Sequence, residues 1–302
     1  MPNTWAVKAH GAALRDTWGI AYVKAWSAAM WLPYLAPMIV LVRRAAVPWV
    51  AVAVAVVAYG WSVGGDFMAY SRFYSMATVA LAIVLTLGLD VLATILDRRA
   101  PRLATVAPIL GAAAAIALGV VADRRWHADR DKPEGWLDGK WEGVTAMARF
   151  AEVGRAVGEW MGAELPSDTL ITVGAAGAVP YASGLPTIDA FGLVDPVIAR
   201  LPHPPLRDAR SARPGHQLFA SPEYIRGRDP DLLCHVGFRG AAPPRESEAR
   251  APFRKGYAWA CVQPGPGSAF APEGGSFDPG VYCCRRPRDR VVGPFGREVD
   301  DG

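Results

Sequence analysis

Between Ala25 and Ala122 the chain carries its charge almost entirely in three short connectors, and that pattern restricts what it can fold into. Long uncharged apolar runs need a large core to cover them in water, whereas a bilayer accepts each as a helix of roughly 20 residues. Four runs fit that length: Ala25 to Val42, Val47 to Val63, Phe73 to Leu89, and Leu103 to Ala122. They predict about four transmembrane helices. Pro33, Pro37 and Pro108 fall inside two of the runs, where each kinks or breaks a helix; membranes tolerate this when neighbours satisfy the freed carbonyls.

From Asp123 onward, charged residues, Pro and Gly are spread as in a water-exposed domain. The averages of 52% hydrophobic and 20% charged residues therefore mix two different halves. The expected fold is an α-helical membrane part followed by a small extracytoplasmic α/β domain. Its expected divisions are an outer N-terminal segment (1–24), the transmembrane helices (25–122), the α/β domain (123–240) and a Pro- and Gly-rich C-terminal extension with strands (241–302). A net charge of +4 with no long basic run argues against a nucleic-acid partner. Lys8, His10, Arg15, Asp16 and Lys24 interrupt the first residues, so no export signal is visible there. The first apolar run then acts as the membrane-entry signal, or more protein once preceded it.

Arginines orient the spans. Arg43 and Arg44 fill one connector, and Arg98, Arg99 and Arg102 another, while the hairpin between them holds only Asp66 and Arg72. The positive-inside rule puts the arginine-rich connectors in the cytoplasm. The hairpin Gly64 to Phe73 and everything after Ala122 then face outward, in a multi-pass protein of the plasma (inner) membrane. Trp26, Trp31, Trp49 and Trp61 fall where an aromatic belt would lie. Asp90, inside a span, is either charge-paired near the cytoplasmic headgroups or a buried functional carboxylate.

In the outer half, Val144, Met147, Phe150, Ala151, Gly154, Val157 and Met161 recur at helical spacing, which predicts an amphipathic helix from Val144 to Leu165. Strands are expected at Thr169 to Val173, Thr187 to Ala190, Asp231 to Gly237, Tyr257 to Gln263 and Val281 to Arg285. Short helical segments are expected at Pro196 to Leu201 and Pro222 to Arg228. From Arg286 the tail is expected to be ill-ordered.

Two glycines, Gly64 and Gly65, let the backbone turn tightly and approach a ligand, and Asp66 beside Arg72 at a membrane surface could bind a sugar hydroxyl and a phosphate. Equally, the glycines only turn the chain and Asp66 caps the following helix. Gly174 to Gly177 follows a strand but lacks the spacing of a phosphate loop, which makes it a structural turn. Tyr181, Asp189, Asp195 and His216 could line a glycan groove, or serve local turns. Trp126, Trp136 and Trp141 either stack on sugars or anchor at the interface. The histidines show no metal spacing, no cofactor is implied and no divalent metal is evident. Cys261 pairs with Cys283 or Cys284 in this scheme, which leaves one thiol of that adjacent pair over.

Three motifs occur together in order. They are Pro2-Asn3-Thr4 with Gly19-Ile20-Ala21-Tyr22; Gly64-Gly65-Asp66-Phe67-Met68 with Arg72-Phe73; and Gly174 to Asp189 with Gly192-Leu193-Val194-Asp195 and Ile198-Ala199-Arg200. In this the chain resembles, over roughly Pro2 to Gly237, the C-terminal half of bacterial polytopic glycosyltransferases of the GT-C superfamily, which includes the mycobacterial terminal β-(1→2)-arabinofuranosyltransferases. The resemblance implies transfer of a sugar from a polyprenyl-phosphate donor to an envelope glycan outside the cell. It also implies that the catalytic carboxylate belongs to an earlier outer loop. The chain then works as a fragment, or beside a separate N-terminal catalytic subunit, and its own catalytic residues are unknown. A proline that the family pattern places shortly after Arg72-Phe73 is missing. The other classes compatible with the sequence are a membrane-anchored glycan-binding or scaffold module and, ranked last, a transporter or channel.

Overall fold

The computed structural model describes residues 3–8, 14–30, 43–68, 70–99, 106–130, 136–137, 141–174, 176–202, 214–215, 218–239, 253, 255–262, 282–296 and 298–299. The chain divides into two compact units. One comprises Lys8–Met147 and Leu206–Pro214, the other Met1–Val7, Ala148–Pro205 and Gly215–Gly302. The boundary falls at the end of the first helix, α1 (Asn3–Lys8).

The first unit is helical. A π-helical turn (Arg15–Gly19) leads into α2 (Ile20–Ala29), and α3 (Val47–Ser62), α4 (Ser75–Arg99) and α5 (Val106–Arg130) follow, with a two-residue hairpin of β1 (Trp136–Leu137) and β2 (Trp141–Glu142). Short 3-10 turns extend α3 and α4 at their N-termini to Arg44–Ser62 and Arg72–Arg99. These two are long and apolar enough to cross a membrane. Only 17% and 22% of their most apolar stretches is buried, the reverse of a core helix in a water-soluble protein. Val52, Val54, Met76, Val79, Leu89 and Leu92 point outward.

Small residues let α3 and α4 meet. A Cβ at Gly60 would stand 2.4 Å from the Tyr74 ring, and Ala53, Ala77, Ala80, Leu81 and Val84 complete the contact. Close backbone approach through Gly and Ala is how helices associate where lipid removes the hydrophobic drive between them. Tyr22 and Trp26 of α2 join the same cluster, and the Trp26 indole donates to Thr78 Oγ1 at 3.1 Å. Trp26 is therefore buried and bonded rather than part of an interfacial belt. Trp49 and Trp61 are exposed, and Trp31 lies outside the described residues.

The expected four-span membrane architecture is not what the chain builds: two helices, not four, are of membrane length and hydropathy among the described residues. The run from Ala25 to Val42 fails because α2 ends at Ala29, where Met30 turns extended (φ −115°, ψ 108°), and residues 31–42 lie outside the described residues. The last run does form a helix, but α5 continues without a break through Asp123, Arg124 and Arg125 to Arg130. A count of apolar run lengths sees neither effect.

The second unit is built on a mixed sheet of β3 (Ile171–Val173), β4 (Thr187–Asp189), β5 (Leu232–Arg239), β6 (Tyr257–Val262), β7 (Tyr282–Pro287) and β8 (Glu298–Val299), in the order β4-β3-β5-β7-β6-β8. β3 runs parallel to β4 and β5, and the remaining pairings are antiparallel. The amphipathic α6 (Val144–Glu164) presents Val153, Val157 and Met161 to one face, against Ile171, Val173, Leu232, Ala260, Tyr282 and Cys284. Ile188, Leu233 and Tyr257 form a second cluster with Ile198, Leu218, Ile225 and Phe253. A short helix, α7 (Ala178–Ser183), follows β3, and another, α8 (Pro222–Gly227), is capped by Ser221 Oγ, which accepts from Tyr224 N–H at 3.2 Å.

Gly154, Gly158 and Gly162 stand four residues apart on α6, and α7 lies directly on them. A Cβ at Gly158 would come 2.5 Å from the Val179 carbonyl oxygen. Backbone cannot swing aside as a side-chain tip can, so Gly158→Val is expected to destabilise this unit by about 1–3 kcal/mol. Gly227→Ala, with nothing within 4 Å of the added carbon, should cost nothing. Thermal unfolding of the two variants checks the pair.

The strands after Gly240 belong to this sheet rather than to a separate extension. The tail expected to be ill-ordered from Arg286 is partly packed. Arg286 is buried, and its guanidinium donates to the carbonyls of Pro287 (2.8 Å), Arg290 (2.9 Å) and Gly296 (3.0 Å), while Phe295 reaches the core beside Trp160 and Tyr282.

All four cysteines are paired, as Cys234–Cys284 and Cys261–Cys283. Leu233 faces Arg285 across β5 and β7, and Cys261 faces Cys283 across β6 and β7. Successive side chains on a strand point to opposite faces, so the adjacent Cys283 and Cys284 reach different neighbours. The thiol expected to be left over is taken up by Cys234.

Candidate functional site

The hairpin between α3 and α4 gathers polar groups that sequence alone placed in a row. Gly64 (φ +78°) and Gly65 (φ +74°) both adopt the left-handed conformation that suits glycine, and their Cβ positions are filled by the chain itself: Leu14 Cγ at 2.5 Å and Tyr22 Cβ at 2.6 Å. The close approach these glycines permit is thus to α2 and the turn before it. Tyr70 (φ 65°) and Ser71 (φ 46°) repeat the left-handed turn without glycine. Non-glycine residues in this region carry strain that the surrounding structure must hold. Here the turn brings Arg72 back toward Asp66.

Asp66 is fully buried. Its Oδ1 accepts from Phe67 N–H at 2.9 Å, and its Oδ2 is ion-paired with Arg72 Nε. Of the pair, the Asp66 side chain is 0% exposed and that of Arg72 49%. The carboxylate therefore orients the guanidinium, and the guanidinium is the group a ligand can reach. Charge-assisted pairing of this kind fixes direction as well as supplying energy. Phe67 C=O accepts from Glu142 N–H at 2.8 Å, and Met68 bridges Glu142, tying the hairpin to β2.

Lys8 adds a second cation that sequence reasoning passed over. Its ammonium lies 4.8 Å from the centroid of the Phe73 ring, and the Arg72 guanidinium 5.5 Å from the same centroid. Burial pushes the Lys8 pKa down, the Asp66 charge partly offsets this, and Arg72 pushes it down further. Tyr22 holds the ring's backbone in place, its hydroxyl accepting from Phe73 N–H at 3.1 Å. No local pattern in the sequence links position 8 to position 73; the contact exists only in the folded chain, where Tyr22 also packs against Phe73 and Tyr74.

The other expected site residues that the structure describes, Tyr181, Asp189 and Asp195, belong to the sheet unit. Asp189 is buried and closes a turn, accepting from Phe191 N–H (3.0 Å) and Val194 N–H (2.8 Å). Asp195 accepts from Val197 N–H, Ile198 N–H and the Tyr224 hydroxyl. Tyr181 is 92% exposed on α7. His216 lies outside the described residues, as do the side chains of Trp126, Trp136 and Trp141. Asp90 has an exposed side chain within α4 and is ion-paired with Arg43, the charge-paired of its two readings. Gly177 precedes the six-residue α7, whose packing against α6 accounts for its place, and Ala175 of the expected turn lies outside the described residues. Among the described residues no group of His, Cys, Asp and Glu is arranged to hold a metal ion.

Residues 140–271, which run from β2 through β6, match a family described as a domain of unknown function (DUF8728). No curated protein and no solved structure matches the chain.

Proposed function

We propose that this chain is the C-terminal portion of a membrane glycosyltransferase that passes a sugar from a polyprenyl-phosphate donor to an envelope glycan, incomplete as a catalyst alone. The observation that carries the reading is the buried Asp66 holding the half-exposed Arg72 at the junction of two helices of membrane length. A guanidinium so fixed is suited to a phosphate oxygen, since its planar fork loses little freedom on binding. In this reading α3 and α4 cross the membrane with Arg43, Arg44, Arg98 and Arg99 inside and the hairpin between them outside.

The test is transfer from a radiolabelled polyprenyl-phosphate sugar in membranes that contain the chain with its catalytic partner. Arg72→Ala is expected to lower transfer about a hundredfold, the order lost when one charge-stabilising donor is removed from an active site. Transfer at the wild-type rate would sink the reading. A second reading, a membrane-anchored glycan-binding module, is favoured by the solvent-exposed ring of Tyr181. It predicts retention of envelope glycan without any transfer.

A further inference from the structure

We propose that Lys8 is the second cation of a phosphate-binding clamp, acting with Arg72 across the ring of Phe73 on a phosphate at the membrane surface; this rests on the reading of Arg72 above. Three observations meet here. Both cations stand over one aromatic ring, at 4.8 and 5.5 Å from its centroid. One carboxylate, Asp66, serves the two of them, and it is bonded to Arg72. Lys8 is half-buried, and among the described residues its ammonium has no carboxylate within ion-pair distance.

The cluster of Lys8, Arg72 and Asp66 thus keeps a net positive charge in a partly desolvated place. Two neighbouring cations with one counter-ion repel each other, and burial raises the cost of the unneutralised charge. A phosphate oxygen removes both penalties by supplying acceptors to the ammonium and to the free edge of the guanidinium. Lysine contributes as a point charge on a flexible stem, arginine as a fixed fork, a division of labour suited to a tetrahedral anion. Were Lys8 only a cation resting on Phe73, its role would end at a modest packing contribution, and its charge would not matter to a ligand.

The experiment measures binding of a polyprenyl monophosphate to the full chain in phosphatidylcholine nanodiscs, for wild type, Lys8→Met, Lys8→Arg and Arg72→Ala. Lys8→Met keeps the apolar stem and is expected to weaken binding about tenfold or more, as loss of a hydrogen bond to a charged group does. Lys8→Arg should stay close to wild type, and Arg72→Ala should bind more weakly than wild type. If Arg72→Ala weakens binding while Lys8→Met does not, the clamp is wrong and the reading of Arg72 stands. If neither substitution changes binding, or wild type does not bind, both fail. Inorganic phosphate as competitor identifies the source: displacement only at a large excess over the lipid indicates a lipid headgroup, and displacement at equal concentration a free phosphate. Either result upholds the clamp.

Discussion

Removing the Cys234–Cys284 disulfide with a double alanine substitution is expected to destabilise the sheet unit by about 4 kcal/mol on the chain-entropy account. The bond closes a loop with a sequence separation of 50, whereas Cys261–Cys283 closes one of 22. Loss of the latter should cost about 3 kcal/mol. The smaller loop lies inside the larger, so the two costs do not simply add. Cys284 is fully buried in the cluster under α6, so its replacement also leaves a small cavity that the rigid sheet cannot close. Thermal unfolding of the full chain with and without reductant is the measurement, with limited proteolysis reporting cleavage between Leu232 and Pro287. A fall of roughly 10–20 °C is expected, given the usual shift per kcal/mol for units of this size. An unchanged transition would mean that the disulfides do not hold the unit together.

Gly65→Ala should collapse the hairpin that carries Arg72. Two costs fall on one methyl group. The backbone sits at φ +74°, where a side chain costs about 1–2 kcal/mol. The new carbon would also stand 2.6 Å from Tyr22 Cβ, which is anchored to α2 and cannot rotate away, so overpacking adds about 1–3 kcal/mol. Tyr22 would be displaced, and with it the hydrogen bond that positions Phe73 and the contact of Phe73 with both cations. The substitution is therefore expected to abolish phosphate binding even in the fraction of molecules that inserts. Arg72→Lys, by contrast, keeps a cation beside the fully buried Asp66 carboxylate, which loss of the whole side chain would leave uncompensated, and should leave insertion and thermal stability nearer wild type. Comparing thermal transitions in detergent separates the two variants, and a Gly65→Ala protein with a wild-type transition would contradict this packing.

Legibility from sequence followed the range of the interaction that decides each feature. The helix over Val144 to Glu164 and the strands around Ile171, Ile188, Leu233, Trp259 and Cys284 could be read because period and turn residues are local signals. So could the exposed Arg72 beside Asp66, six residues apart. The four-span expectation failed because run length says nothing about where a helix ends: Met30 leaves the helix before the prolines are reached, and α5 carries its regular hydrogen bonding well into a charged segment. Arg286 looked like the start of a loose tail, since an arginine rarely enters a core. Its burial depends on carbonyls as far off as Gly296, which only the folded turn brings near. Lys8 was invisible for the same reason. Asp189 and Asp195 stood out as polar residues in a run of turns; Asp189 spends its oxygens on backbone N–H groups of that run, and Asp195 on two such groups and the Tyr224 hydroxyl.

The most direct test of the account asks which part of the chain touches a lipid-linked phosphate. A photoreactive polyprenyl-phosphate sugar, activated in native membranes and mapped by peptide mass spectrometry, should label peptides that contain Lys8 or the stretch from Asp66 to Phe73, with labelling lost in Arg72→Ala. Labelling confined to the sheet unit between Ala148 and Pro205, or unaffected by Arg72→Ala, would contradict it.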